Sequence, residues 1–167
     1  KRNIYIIPFA HLDLFWAGTR AECLSRGAKI LSVALDLLER HPDYRFMVES
    51  TSFAEAFLDA YPEKKELFCK FVAEHRLEII PMRGILYSHL PSGETTVRNL
   101  LYGLDFCQKT LNAAPDLMSL SDIPGATAQL PQIAKSAGVN KIVLSRGFKP
   151  HTDRVRWIAP DGTEIQA

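Results

Sequence analysis

His11-Leu12-Asp13 closes the apolar run Ile4-Tyr5-Ile6-Ile7-Pro8-Phe9-Ala10. Residues two apart in an extended segment point to the same face. An imidazole and a carboxylate therefore leave the strand end together, a donor pair that suits a divalent metal such as zinc. A lone His-x-Asp is common, so the pair needs company. Asp122 supplies it, since it follows a second apolar run, Leu117-Met118-Ser119-Leu120-Ser121. The turn residues Pro124-Gly125 behind it suit a sharp turn that lifts a side chain into a cleft. Local sequence equally allows Asp122 as a helix N-cap. Its shared position with His11 and Asp13 at strand ends favours a metal-linked carboxylate.

Other residues carry less. Phe15 and Trp16 sit just past the His-x-Asp pair and offer aromatic faces for a sugar ring, with burial in the core as the alternative. His41, His75, His89 and His151 have no partner at ligand spacing and read as surface or loop residues. His89 lies in a loop near the proposed rim. Ser92 or Gly93 caps a long helix, on which Glu94 and Arg98 form an i,i+4 pair. Neither GxGxxG, nor a P-loop, nor GxSxG occurs, which counts against dinucleotide, nucleotide and serine-hydrolase chemistry.

The elements that must position these residues alternate. Residues 3–8 have the composition of a buried strand, and residues 20–40 carry helical spacing up to His41-Pro42. Arg45–Glu49 reads as a strand, Ser52–Ala60 and Glu63–Glu74 as helices, and Leu77–Pro81 as a third strand. A loop over 82–92 precedes a helix from Glu94 to Leu111. Leu117–Leu120 is a fourth strand, residues 127–137 a helix closed by Gly138, and Asn140–Leu144 a fifth strand. Val155–Ala159 and Thr163–Gln166 flank Pro160-Asp161-Gly162, a hairpin signal. Strands alternating with helices imply βαβ units and a parallel sheet, whose active residues sit beyond the C-terminal strand ends.

Composition bounds the class. The 167 residues fit a single domain, and 47% hydrophobic residues suffice for a core. A net charge of +1 argues against nucleic acid or a membrane surface as partner, and no segment approaches the roughly 20 apolar residues of a membrane span. No secretory signal is visible, and the start at Lys1 reads as a processed or cut terminus. Cys23, Cys69 and Cys107 form no CxxC pair and argue against a disulfide framework, which leans toward a reducing, cytoplasmic compartment.

Taken together, four stretches resemble the N-terminal catalytic domain of glycoside hydrolase family 38, the α-mannosidases. They are Ala10-His11-Leu12-Asp13-Leu14-Phe15-Trp16, Leu90 through Gly103, Asp122-Ile123-Pro124-Gly125 on to Gln129-Leu130-Pro131-Gln132-Ile133, and Trp157 through Asp161-Gly162 to the end. They come in the family's order and cover nearly the whole chain. The resemblance implies a seven-stranded β/α barrel, one zinc ion (another divalent metal being an alternative) and a retaining mechanism on α-mannosides. It implies that His11, Asp13 and Asp122 bind the metal and that Asp122 is also the nucleophile. Trp16 is the candidate for sugar contact.

Three departures stand out. The loop Gly84–His89 has no carboxylate, Pro124 replaces an aromatic residue, and the family's acid/base and second zinc histidine fall beyond Ala167. On this reading the chain is the first five strands of seven, truncated after the hairpin and inactive by itself. Its open sheet edges favour pairing with a second copy. A metal-dependent carbohydrate deacetylase and a degenerate, non-catalytic carbohydrate-binding domain are the alternatives.

Overall fold

The computed structural model describes Ile4, residues 6–146 and residues 154–167. Helix α1 (Arg20–Arg40) starts from a capping box in which the Thr19 hydroxyl accepts from the Glu22 backbone and Glu22 accepts from the Thr19 backbone at 2.7 Å. Strand β1 (Phe46–Val48), helix α2 (Thr51–Ala60), a 3-10 turn at Pro62–Lys64, helix α3 (Lys65–Ala73) and strand β2 (Leu77–Ile79) follow. Helix α4 (Gly93–Leu111) is capped by the Ser92 side chain, which accepts from Thr95 N–H. Then come β3 (Leu117–Leu120), α5 (Leu130–Ser136), β4 (Lys141–Leu144) and the hairpin strands β5 (Arg156–Ile158) and β6 (Glu164–Gln166).

The strands form a parallel pair, β1-β2, and a four-stranded sheet in the order β3-β4-β6-β5. In the second sheet β3, β4 and β6 run parallel, and β5 is antiparallel to β6. Two cores pack the sheets on the helices, and Met47 of β1 joins the second while its neighbours Phe46 and Val48 join the first. Leu31, Leu35, Leu38, Phe53, Phe57 and Phe68 fill the first, while Ile80, Leu100, Met118, Leu120, Leu130 and Ile142 fill the second. Helix α4 serves both, with Cys107 and Leu111 in the first core and Leu100 in the second. It thereby ties the two sheets into one α/β unit.

Two expectations need correcting. The apolar run over 3–8 is not a buried strand where it is described: Ile4, Ile6 and Ile7 are 88%, 82% and 59% exposed. Among the described residues its attachment is one parallel bridge, Phe9 to Met47, with Met47 N–H donating to the Pro8 carbonyl at 2.9 Å. Pro8 has no N–H to offer a ladder. The helix expected over 127–137 spans Leu130–Ser136. Residues before it form a turn in which Thr127 N–H donates to the Ser88 hydroxyl and the Thr127 carbonyl accepts from Leu130 N–H. Of the expected histidines, His151 lies outside the described residues. Among the described residues, no helix is long and apolar enough to cross a membrane.

Candidate functional site

Register places the site. In the bridge Phe9 pairs with Met47, so two residues further on His11 lies beside Glu49. Both side chains leave at the C-terminal end of β1 and meet there. His11 Nδ1 lies 2.9 and 3.0 Å from the two Glu49 oxygens. Leu12 N–H donates to the same carboxylate at 3.2 Å. The second sheet repeats the pattern. Leu120 pairs with Leu144, and two residues further on Asp122 ion-pairs with Arg146. Asp122 N–H also donates to the Ser145 hydroxyl at 3.2 Å.

The two pairs converge across the gap between the sheets. His11 Nε2, the nitrogen that Glu49 leaves free, lies 3.3 Å from Asp13 Oδ2 and 3.7 Å from Asp122 Oδ2. The three residues picked from sequence therefore share one imidazole edge. Their exposure is graded: the Glu49 side chain is 1% exposed, His11 28%, Asp13 42% and Asp122 49%. Burial pulls the His11 pKa down, but the hydrogen bond to Glu49 and the charges of Glu49, Asp13 and Asp122 outweigh it. The net direction is upward from 6.5.

Asp122 is not the helix cap that its local sequence allows. Helix α5 begins at Leu130 with Gln129 in the cap position. Instead Asp122 adopts the left-handed conformation, φ 49°, uncommon for a residue with a side chain. Strained backbone of this kind clusters at functional sites. The turn behind it is braced by His89, whose ring Nδ1 lies 2.9 Å from the Gly125 carbonyl. That loop is held in turn by Asn99 of α4, which exchanges hydrogen bonds of 2.9 Å with both the N–H and the carbonyl of Gly84. Phe15 and Trp16 are 69% and 73% exposed, so their aromatic faces are open to solvent rather than buried in the core.

The donor chemistry fits a divalent metal. Two donors on one tetrahedral zinc, each bonded at about 2.1 Å, stand about 3.4 Å apart. Both Nε2 separations lie near that edge. Among the described residues, no three His, Cys, Asp or Glu side chains are placed so that they could hold a metal ion, and the fit is one of donor type and pairwise spacing. Asp122 divides its carboxylate, with Oδ1 on Arg146 and Oδ2 toward His11. Below this rim an apolar trough of about 500 Å³ opens between the sheets, lined by Ile6, Phe9, Met47, Leu117 and Val143, with Ser121 and Ser145 at its edge.

Glu49, Ser145 and Arg146 escaped the reading from sequence. Each was findable, because each stands at or just past the C-terminal end of a strand that the sequence does mark.

The model of the glycosyl hydrolases family 38 N-terminal domain matches residues 1–167. Alpha-mannosidase 2C1 of Homo sapiens is 27% identical over 175 residues, covering 99% of this chain and 16% of its own. The crystal structure of an alpha-mannosidase from Enterococcus faecalis V583 superposes with a TM-score of 0.86 at 30% identity, over 96% of this chain and 19% of that one. A 4-alpha-glucanotransferase from Thermococcus litoralis shares the fold, with a TM-score of 0.71 at 15% identity, over 96% of this chain and 26% of that one. The chain spans 20% and 16% of the length of the first curated relatives it matches. With its whole length matched by the family model, this chain belongs to the glycosyl hydrolases of family 38, as their N-terminal domain.

Proposed function

We propose that this domain carries the nucleophile and most of the metal shell of a retaining, zinc-dependent α-mannosidase, and that it acts within a longer polypeptide. The observation behind the proposal is that Asp13 and Asp122 both lie near His11 Nε2, across the gap between the two sheets. The names of the relatives supply the substrate class. Family membership favours glycoside hydrolysis over the deacetylase reading. On this proposal the parallel strands are part of a β/α barrel whose rim bears the site.

His11, Asp13 and Asp122 would hold the zinc, which when bound supplies a positive centre for sugar hydroxyls. Of the two carboxyl groups the reaction needs, this chain supplies the nucleophile. The Asp122 carboxylate attacks the anomeric carbon and forms a glycosyl ester, while the glycosidic oxygen departs with a proton. Water then cleaves the ester and restores the configuration. Proton transfer at both steps needs a second carboxyl group about 5–5.5 Å from the first. No described residue is assigned that role, so the 167 residues alone are expected to be inactive. Arg146 holds the back of the nucleophile and orients Oδ2 forward. Exposed Trp16 is available to stack on the sugar.

The test is hydrolysis of an aryl α-mannoside by the longer polypeptide, with product configuration followed by proton NMR. The expected result is net retention, with Asp122→Asn lowering turnover by roughly three or more orders of magnitude. Near-normal turnover in Asp122→Asn, or net inversion, would overturn the proposal. The zinc assignment is tested separately, by metal content before and after dialysis against a chelator.

A further inference from the structure

We infer that Glu49 is a positioning residue that fixes the proton of His11 on Nδ1 and so reserves Nε2 for the cation between Asp13 and Asp122. The inference rests on the metal-site reading above and goes beyond it, because Glu49 touches neither carboxylate and is not itself a candidate ligand.

Burial makes Glu49 conspicuous. The residue follows the buried apolar strand Phe46-Met47-Val48, and its own side chain is 1% exposed. A desolvated carboxylate is costly unless it is paired and hydrogen-bonded. Among the described residues its ion-pair partner is His11, with no lysine or arginine in reach. Leu12 N–H adds one further donor. An apolar side chain would satisfy the core here at lower cost. What a carboxylate provides is an acceptor, and an ionised carboxylate accepts only.

The consequence falls on the imidazole. Both Glu49 oxygens lie within 3.0 Å of Nδ1, so Nδ1 must donate. In the neutral ring the other nitrogen then bears the lone pair. That lone pair faces two carboxylate oxygens at 3.3 and 3.7 Å, three acceptors around one point. Three acceptors repel unless a proton on Nε2 or a metal cation stands between them, and at pH values where the ring is neutral the metal takes that place. Leu12 N–H on the same carboxylate also locks the backbone between His11 and Asp13, so one buried group aims both ligands. Orienting contacts of this kind typically change metal affinity 10–100-fold.

The experiment pairs zinc titration against a chromophoric chelator with nitrogen-15 NMR of the histidine rings, using His11→Gln to assign the His11 signals. In the unsubstituted protein the neutral His11 ring is expected as the Nδ1–H form, and zinc is expected to move the Nε2 signal. Glu49→Gln presents an amide N–H that can donate to Nδ1. It is expected to shift the ring toward Nε2–H and to weaken zinc 10–100-fold, at the scale of such orienting contacts. Glu49→Asp is expected to recover part of both.

A Glu49→Gln protein that melts lower but keeps the Nδ1–H ring and full zinc affinity would overturn the inference, leaving Glu49 a packing residue. If the variants fail to fold, the unsubstituted protein still decides, since an Nε2–H ring in its neutral form overturns the inference outright. Absence of zinc binding to an unsubstituted protein whose ring is Nδ1–H would defeat the metal-site reading, while the orienting role of Glu49 would stand.

Discussion

Gly103 is where a single methyl group should do the most damage for its size. The glycine sits in mid-α4, where the helix crosses the end of the β2 segment. A Cβ built there would lie 2.2 Å from the Pro81 carbonyl oxygen, 2.5 Å from its carbon and 3.0 Å from Met82 N. Comfortable separations begin near 3.5 Å, so the helix must retreat by about 1 Å. The opposing atoms are backbone and cannot rotate away. Helix α4 cannot retreat freely either, because it packs into both cores through Leu100, Cys107 and Leu111. Overpacking of this kind costs about 1–3 kcal/mol, and backbone opposition puts Gly103→Ala near the top of that range. Removing a glycine from a helix interior returns about 1 kcal/mol. The net expectation is about 2 kcal/mol of destabilisation, or a fall in Tm of about 4–8 °C for a domain of this size. Thermal melts by circular dichroism read it. Gly93→Ala is the control, since nothing lies within 4 Å of its Cβ position. It should leave Tm unchanged or slightly raised. A Gly103→Ala protein that melts with or above the unsubstituted one would refute the close-approach argument.

Two further expectations concern groups away from the rim. Burial first, and then the Asp116 charge, raise the Glu78 pKa above its ordinary 4.5. A raised carboxylate stabilises the fold fully below the ordinary value and loses that contribution as pH rises through the folded value. Glu78→Gln should therefore raise Tm at pH 7 and make little difference at pH 4, and an equal effect at both would contradict the burial argument. Burial also pushes the Cys107 thiol to about 12, and Cys23 is buried as well, whereas Cys69 is partly exposed. A disulfide reagent at pH 8 should modify Cys69 ahead of the other two and reach all three only on unfolding. Fast reaction of Cys107 in the folded protein would show that α4 packs more loosely than described.

Helices announced themselves because their signals are local. Apolar residues at helical spacing up to His41-Pro42 mark α1, Ser92 caps α4, and Gly138, φ 85°, follows α5. The first apolar run misled because its composition is that of a buried strand, while burial itself is a tertiary property. Ile4 and Ile6 stand exposed in spite of their type. Asp122 carried two local readings, cap and cleft carboxylate, and only the position of α5 decides between them.

The partners of the site residues were hidden for a different reason. Glu49 and Arg146 lie 38 and 24 residues from His11 and Asp122, so no spacing motif joins either pair. A parallel sheet nonetheless carries the missing rule. When Phe9 pairs with Met47, the residues two further on are His11 and Glu49. When Leu120 pairs with Leu144, they are Asp122 and Arg146. In-register parallel strands expose their second residues past the ladder side by side at one rim. Both pairs join an acid to a base, and both leave one face of the chemically interesting group turned inward: Nε2 of His11 and Oδ2 of Asp122, 3.7 Å apart. Sequence names the groups that face the cleft, and register names the ones that hold them there. A polar residue two places beyond a paired position at a strand end is thus a sharper query than any motif, because it asks which strand end the neighbour must answer.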